Sequence, residues 1–63
     1  MCLSNVYKSA VSDENLLFSN VAKIECMDGY VVLTDVMERT MEIEGRLVSV
    51  DLVENKAIIC PAD

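Results

Sequence analysis

The dipeptide Asp28-Gly29, set between two strand-like runs, constrains this chain more than any other feature. On one side Ala22, Ile24 and Cys26 alternate with Lys23, Glu25 and Met27; on the other, Tyr30 to Thr34 is mostly β-branched and aromatic. A period of two sends alternate side chains to opposite faces of a pleated strand, which places Cys26 with Ala22 and Ile24 on a core-facing side. Asp-Gly readily takes the positive φ angles that a type I′ turn needs at both central positions. The expectation is a two-residue β-hairpin spanning Val21 to Thr34, around which the rest of the chain must be built.

The remaining sequence supplies strands and no helix, because no stretch keeps a 3.6-residue period for more than two turns. A first strand is expected from Cys2 to about Ser9, followed by a loop at Ser12-Asp13-Glu14-Asn15, whose side chains bond readily to their own backbone. Leu16 to Phe18 reads as a second short strand, with Ser19-Asn20 as a turn or brief cap before the hairpin. Asp35 to Arg39 is open to two readings, a short helical turn or a polar connection. Thr40 to Glu44 alternates again, and Gly45 marks a tight bend or bulge before Arg46 to Leu52 resumes. A turn at Val53 to Lys56 leads into Ala57 to Cys60, where Pro61 removes a backbone donor and ends the run. Five to six short strands with close turns predict an all-β fold, a small, strongly bent antiparallel barrel or sandwich of the SH3 or Sm type. Residues 1–63 form a single domain.

Size and charge then exclude whole classes of function. A chain of 63 residues buries only about 60% of its unfolded surface, which leaves no room for a second domain or a deep cleft. Eleven acidic against 5 basic side chains give a formal charge of −6, and Lys8, Lys23, Arg39, Arg46 and Lys56 are scattered. Phosphate recognition needs clustered cations, and base stacking needs aromatics; with only Tyr7, Phe18 and Tyr30 present, nucleic acid is not an expected partner. Hydrophobic residues make up 52% of the chain, enough for a folded core. The longest apolar runs, Tyr30 to Leu33 and Ala57 to Cys60, fall far short of the ~20 residues that cross a bilayer. No export signal opens the sequence, so a cytoplasmic location is expected.

The absence of histidine removes the commonest general base and the imidazole metal ligand. Three cysteines, Cys2, Cys26 and Cys60, are widely spaced and odd in number, unlike a disulfide framework or a zinc site. Cys26 and Cys60 read as core or edge thiols. The methionines Met27, Met37 and Met41 read as gap fillers, and Glu38, Glu42 and Glu44 as a solvated face. No phosphate loop, nucleophile elbow or nucleotide motif is present, so an enzyme is not expected. Cys2 is different because of its position. With Met1 removed, its α-amine, its thiolate and the following backbone nitrogens form one mixed nitrogen and sulfur chelate, a set suited to square-planar nickel(II) or copper(II).

The opening Met1-Cys2-Leu3-Ser4-Asn5-Val6-Tyr7, the central Gly29 to Asp35 and the closing Gly45-Arg46-Leu47-Val48-Ser49-Val50-Asp51-Leu52, followed by Lys56-Ala57-Ile58-Ile59, together resemble the CooT proteins. These are small dimeric accessory proteins of nickel carbon monoxide dehydrogenase maturation. The resemblance implies a compact all-β domain over 1–63 that binds nickel(II) through Cys2 at or near a two-fold interface. The favoured reading is a cytoplasmic homodimer in which the two Cys2 thiolates hold one ion for delivery to carbon monoxide dehydrogenase or another nickel enzyme. Some relatives carry a histidine in the turn matching Val53-Glu54-Asn55, and this chain has none. The stretch Val36 to Thr40 also lacks the glycine expected in its turn. The alternative reading is a small SH3/Sm-like binding module without metal, with a protein rather than RNA as partner.

Overall fold

The structure, a computed structural model, describes residues 3–62. Its five strands are β1 (Ser4–Lys8), β2 (Leu16–Cys26), β3 (Tyr30–Asp35), β4 (Thr40–Asp51) and β5 (Lys56–Pro61), with one 3-10 turn at Asp13–Asn15 between β1 and β2. They close into a barrel in the order β1-β2-β3-β4-β5. Sequential neighbours are antiparallel, and β5 closes on β1 as a parallel pair, Asn5 to Lys8 beside Lys56 to Ile59. That parallel closure is forced by number. When each strand reverses the direction of the last, the first and fifth run the same way. The expectation of an antiparallel barrel therefore holds for every pair except the one that shuts it.

Two long strands do double duty. The first half of β2 pairs with β1, from Tyr7 opposite Leu16 to Ser4 opposite Val21, and the second half pairs with β3, from Val21 opposite Asp35 to Cys26 opposite Val31. Likewise Thr40 to Glu44 of β4 pair with β3, while Gly45 to Asp51 pair with β5. Each strand bends where it changes partner. In β2 the bend falls at Asn20, with φ 57, beside a register shift between Val21 and Lys23. The turn expected at Ser19-Asn20 is thus a kink inside one continuous strand; asparagine tolerates the left-handed conformation, and the backbone carries on. In β4 the bend falls at Gly45, with φ 142, where an added Cβ would strike the Cys60 carbonyl oxygen and lie 2.7 Å from Pro61 Cα. The bulge itself lies further on, between Leu47 and Ser49.

The hairpin at Asp28-Gly29 has two turn residues as expected, with Met27 N–H donating to the Tyr30 carbonyl at 2.8 Å. Its type differs. Gly29 has φ 88, but Asp28 is not at positive φ, so the turn is not type I′; a positive φ at the second central residue alone is the requirement of type II. Between β3 and β4 the left-handed position that a glycine was expected to fill is taken by Glu38, with φ 65.

The core follows the period-two pattern. Val6, Val21, Val31, Leu33, Ala57 and Ile59 are buried together, and Phe18, Ile24, Ile43 and Leu47 pack against them. Ala22 and Cys26 depart from expectation: Ala22 is exposed at the register shift between Val21 and Lys23, and Cys26, although it lies opposite the buried Val31, is exposed as the last residue of β2 at the hairpin end. Cys60 is exposed as well.

Candidate functional site

Three chain segments meet at the end of the barrel where β1 begins. Leu3, half-buried, leads into β1. Ser4 lies opposite Val21 at the kink of β2, and Asn5 lies beside Lys56 at the start of β5. The Asn5 N–H donates to the Asn55 carbonyl at 2.9 Å, so the start of β1 is tied to the β4–β5 turn, Leu52–Asn55. Asp51 closes that turn by accepting the N–H of Val53 and of Glu54, both at 3.0 Å. Asn55 supplies the left-handed residue, with φ 57, that turns the chain into β5. Held in this way, the turn presents Leu52 and Val53 to solvent at 79% and 87% of their surface.

The β3–β4 turn stands on the other flank. Val36 N–H donates to the Asn20 carbonyl at 3.0 Å, next to the Val21 that faces Ser4. Asp35 organises this turn from within. It is 2% exposed, and its Oδ1 accepts the N–H of Met37 at 2.9 Å and of Arg39 at 2.8 Å. Its Oδ2 accepts Arg39 Nε at 2.6 Å. Burial pushes the Asp35 carboxyl up, but the Arg39 N–H, the Arg39 guanidinium and the Met37 N–H outweigh it and hold the group below its ordinary value of 3.8. No buried side-chain oxygen or nitrogen among the described residues lacks a partner. Near this end the sequence reading missed the part of Asp51 and, more consequentially, that of the buried Asp35. Its signal was the acid-base pair Asp35 and Arg39, four apart across an expected turn.

Cys2, the candidate metal ligand, lies outside the described residues. Among the described residues no three of His, Cys, Asp and Glu come together as a set able to hold a metal ion. Cys26 sits opposite Val31 and Cys60 opposite Arg46, in different strand pairs. Met37 is exposed on its turn, and Met41 is half-buried opposite Leu33. The carboxylates of Glu25 and Glu42 share one cross-strand row with Val32 between them, and Glu44 lies opposite Tyr30. Lys23 approaches Glu25 at 3.7 Å on the exposed surface. No pocket opens among the described residues, so these acids line no cleft in which a substrate could be held.

Comparison with known proteins covers nearly the whole chain. The family model described as CO dehydrogenase accessory protein CooT matches residues 1–60, a span that includes Cys2. The fold is similar to the crystal structure of a protein from Carboxydothermus hydrogenoformans assigned as CooT, with a TM-score of 0.83 and 16% sequence identity. The match covers 98% of this chain and 100% of that one. No curated protein shows significant similarity to the chain. No helix among the described residues is long and apolar enough to cross a membrane.

Proposed function

Because the chain belongs to the CooT family of CO dehydrogenase accessory proteins, we propose that it binds nickel(II) through Cys2 and supplies the ion for maturation of carbon monoxide dehydrogenase or another nickel enzyme. The observation that carries this reading is the family match reaching through position two, in a chain with no histidine. In the proposed site the Cys2 thiolate, the α-amine freed by loss of Met1 and the adjoining backbone nitrogens are the donors. The thiol must lose its proton to bind, so nickel affinity rises with pH until the thiol is fully ionised. A terminus is a reasonable place for a carrier site, since its ligands can exchange without disturbing a core.

One chain offers only one such thiol, and symmetry supplies a second. We infer a cytoplasmic homodimer in which Cys2 of both chains approaches the two-fold axis and shares one ion. The protein acts as a carrier rather than a catalyst on this reading. Nickel titration of the wild type and of Cys2→Ser by calorimetry, with native mass spectrometry of the same samples, tests it. The expected result is one nickel per dimer in the wild type and loss of at least a hundredfold in affinity in the variant. Unchanged stoichiometry and affinity in Cys2→Ser would remove the site. The same titration separates the alternative, a metal-free module for a protein partner, which predicts no nickel bound to either form.

A further inference from the structure

The outer face of the sheet formed by β2, β3 and the first half of β4 has an ordered composition. Val31, Leu33 and Asp35 of β3 point inward and are buried, so alternation turns Tyr30 and Val32 outward, where both are half-buried. Val32 lies between Glu25 of β2 and Glu42 of β4. Tyr30 lies between Met27, 43% exposed, and Glu44. Two strand spacings separate Glu25 from Glu42, about 10 Å. An apolar strip along β3 is thus bordered by carboxylates on both sides.

These carboxylates have little counter-charge of their own. Lys23 approaches Glu25 at 3.7 Å, but both side chains are well exposed and such a pair is weak. The other ion pair among the described residues joins Arg39 to Asp35, which leaves Glu42 and Glu44 without one. Residues 23–44 hold two bases and six acids, a net −4 of the chain's −6. Solubility asks for both signs interspersed over a surface, whereas here one sign gathers round exposed apolar carbon. The flank of β4 beside the exposed Val48 and Val50, open because β3 pairs no further than Glu44, is different. Residues 45–62 hold two bases and two acids, so charge selects no partner there.

On the β2–β3–β4 face charge does select. A second copy brought face to face would set acid against acid, and a cationic surface is drawn in. We propose that this face docks a partner protein through an apolar strip bordered on both sides by lysine or arginine, the pattern of a basic amphipathic helix. A helix with its side chains is about 10–12 Å across, which matches the separation of the acidic borders. Its apolar stripe rests on Tyr30 and Val32 while its flanking cations reach Glu25 on one side and Glu42 and Glu44 on the other. Resting on the carrier reading above, this face is where the protein meets the enzyme it serves. The acids lie toward the hairpin end, roughly 15 Å along β2 from Val21, the residue opposite Ser4 of β1, so a partner seated there leaves the start of β1 uncovered. A contact of this size falls in the transient class, below about 1,200 Å² in total, as suits a delivery complex that has to part.

Titration of the isotope-labelled full chain with a synthetic helical peptide tests this by NMR amide shifts. The probe is about five turns of leucine and lysine, its leucine stripe bordered on both sides by lysine. The amides of Glu25, Tyr30, Val32 and Glu42 should shift together and saturate, and Glu42→Lys/Glu44→Lys should weaken binding at least tenfold. Asp13→Lys/Glu14→Lys makes the same change of net charge on the exposed turn between β1 and β2 and should bind as the wild type. Equal weakening in the two double variants, shifts lying elsewhere, no saturable binding, or equal binding of the same peptide with glutamate in place of lysine overturns the proposal. Concentration-dependent shifts of these amides without peptide also overturn it, because a second copy is then the occupant. Glu42 and Glu44 are exposed, so far-ultraviolet circular dichroism should be unchanged. Should Glu42→Lys/Glu44→Lys lose its β signal, Glu42→Gln/Glu44→Gln takes its place, and binding of the peptide as tight as the wild type's overturns the proposal. Cys2→Ser separates this face from the metal site. If Cys2→Ser binds the peptide but no nickel, both stand; if it binds both as the wild type does, the metal site fails and the docking face stands. If Glu42→Lys/Glu44→Lys binds both as the wild type does, the docking face fails and the metal site stands.

Discussion

Asp35 accepts more hydrogen bonds than any other side chain among the described residues. It is a buried carboxylate whose two oxygens accept two backbone N–H groups and one guanidinium. Such a group stays ionised more readily in the folded chain than in the unfolded one, so it stabilises the fold above its ordinary pKa. That contribution is retained at neutral pH and is lost as pH falls through the depressed folded value. Thermal melts of the wild type and Asp35→Asn should therefore differ most at pH 7, where the variant melts lower, and the gap should close as pH is lowered below the ordinary value of 3.8. A gap that widens on acidification would mean that the carboxylate is not the stabilising form. Arg39 is largely exposed, so Arg39→Lys, which keeps the backbone N–H bonds, should cost less than Asp35→Asn.

At the scale of the elements, the barrel depends on two strands that change partners at a bend. β2 bends at an asparagine and β4 at a glycine, and that glycine tolerates substitution differently from the one in the β2–β3 hairpin. Gly45 approaches the β5 backbone so closely that any Cβ meets Cys60 and Pro61, and its φ is also unfavourable for an L side chain. Gly29 has a positive φ but open space around it. Gly29→Ala should therefore cost about 1 kcal/mol, the conformational term alone. Gly45→Ala should cost more than about 3 kcal/mol, because backbone must move to admit the methyl group. Urea unfolding of the two variants checks the ranking, and equal losses would show that the close approach at Gly45 can relax. The sequence pattern anticipated the bend at Gly45, since a glycine inside an alternating run has few other uses. It did not anticipate the continuity of β2 through Ser19-Asn20. There the polar pair mimics a turn, and only the pairing of Ser4 and Asp35 with the same Val21 reveals one strand between two neighbours.

For the whole molecule, net charge is the controlling quantity in self-association. Two chains of −6 repel over a distance set by screening, about 30 Å at 0.01 M salt and about 8 Å at 0.15 M. Dimerisation of the metal-free protein should strengthen several-fold between 0.01 M and 0.3 M sodium chloride, measured by sedimentation equilibrium. Weakening with salt would mean that ion pairs across the interface outweigh the repulsion between the bodies. The same charge gives nickel(II) a favourable field on approach.

Much of this was determined by the sequence alone, because period-two alternation and turn chemistry are local. The hairpin at Asp28-Gly29 can be read within a dozen residues, and the all-β class from the alternation and turn signals along the chain. The candidate site was legible for the same reason, since a cysteine at position two and the lack of histidine need no fold to be seen. Tertiary structure decided what depends on residues distant in the chain. The parallel closure of β5 on β1 follows from the number of reversals. The exposure of Cys26 follows from its place as the last residue of β2, at the hairpin end, and the burial of Asp35 from the turn that folds over it. The open flank beside Val48 and Val50 exists because β3 is shorter than the strand it pairs with. No local pattern encodes where a neighbouring strand stops, and that ending leaves β4 exposed.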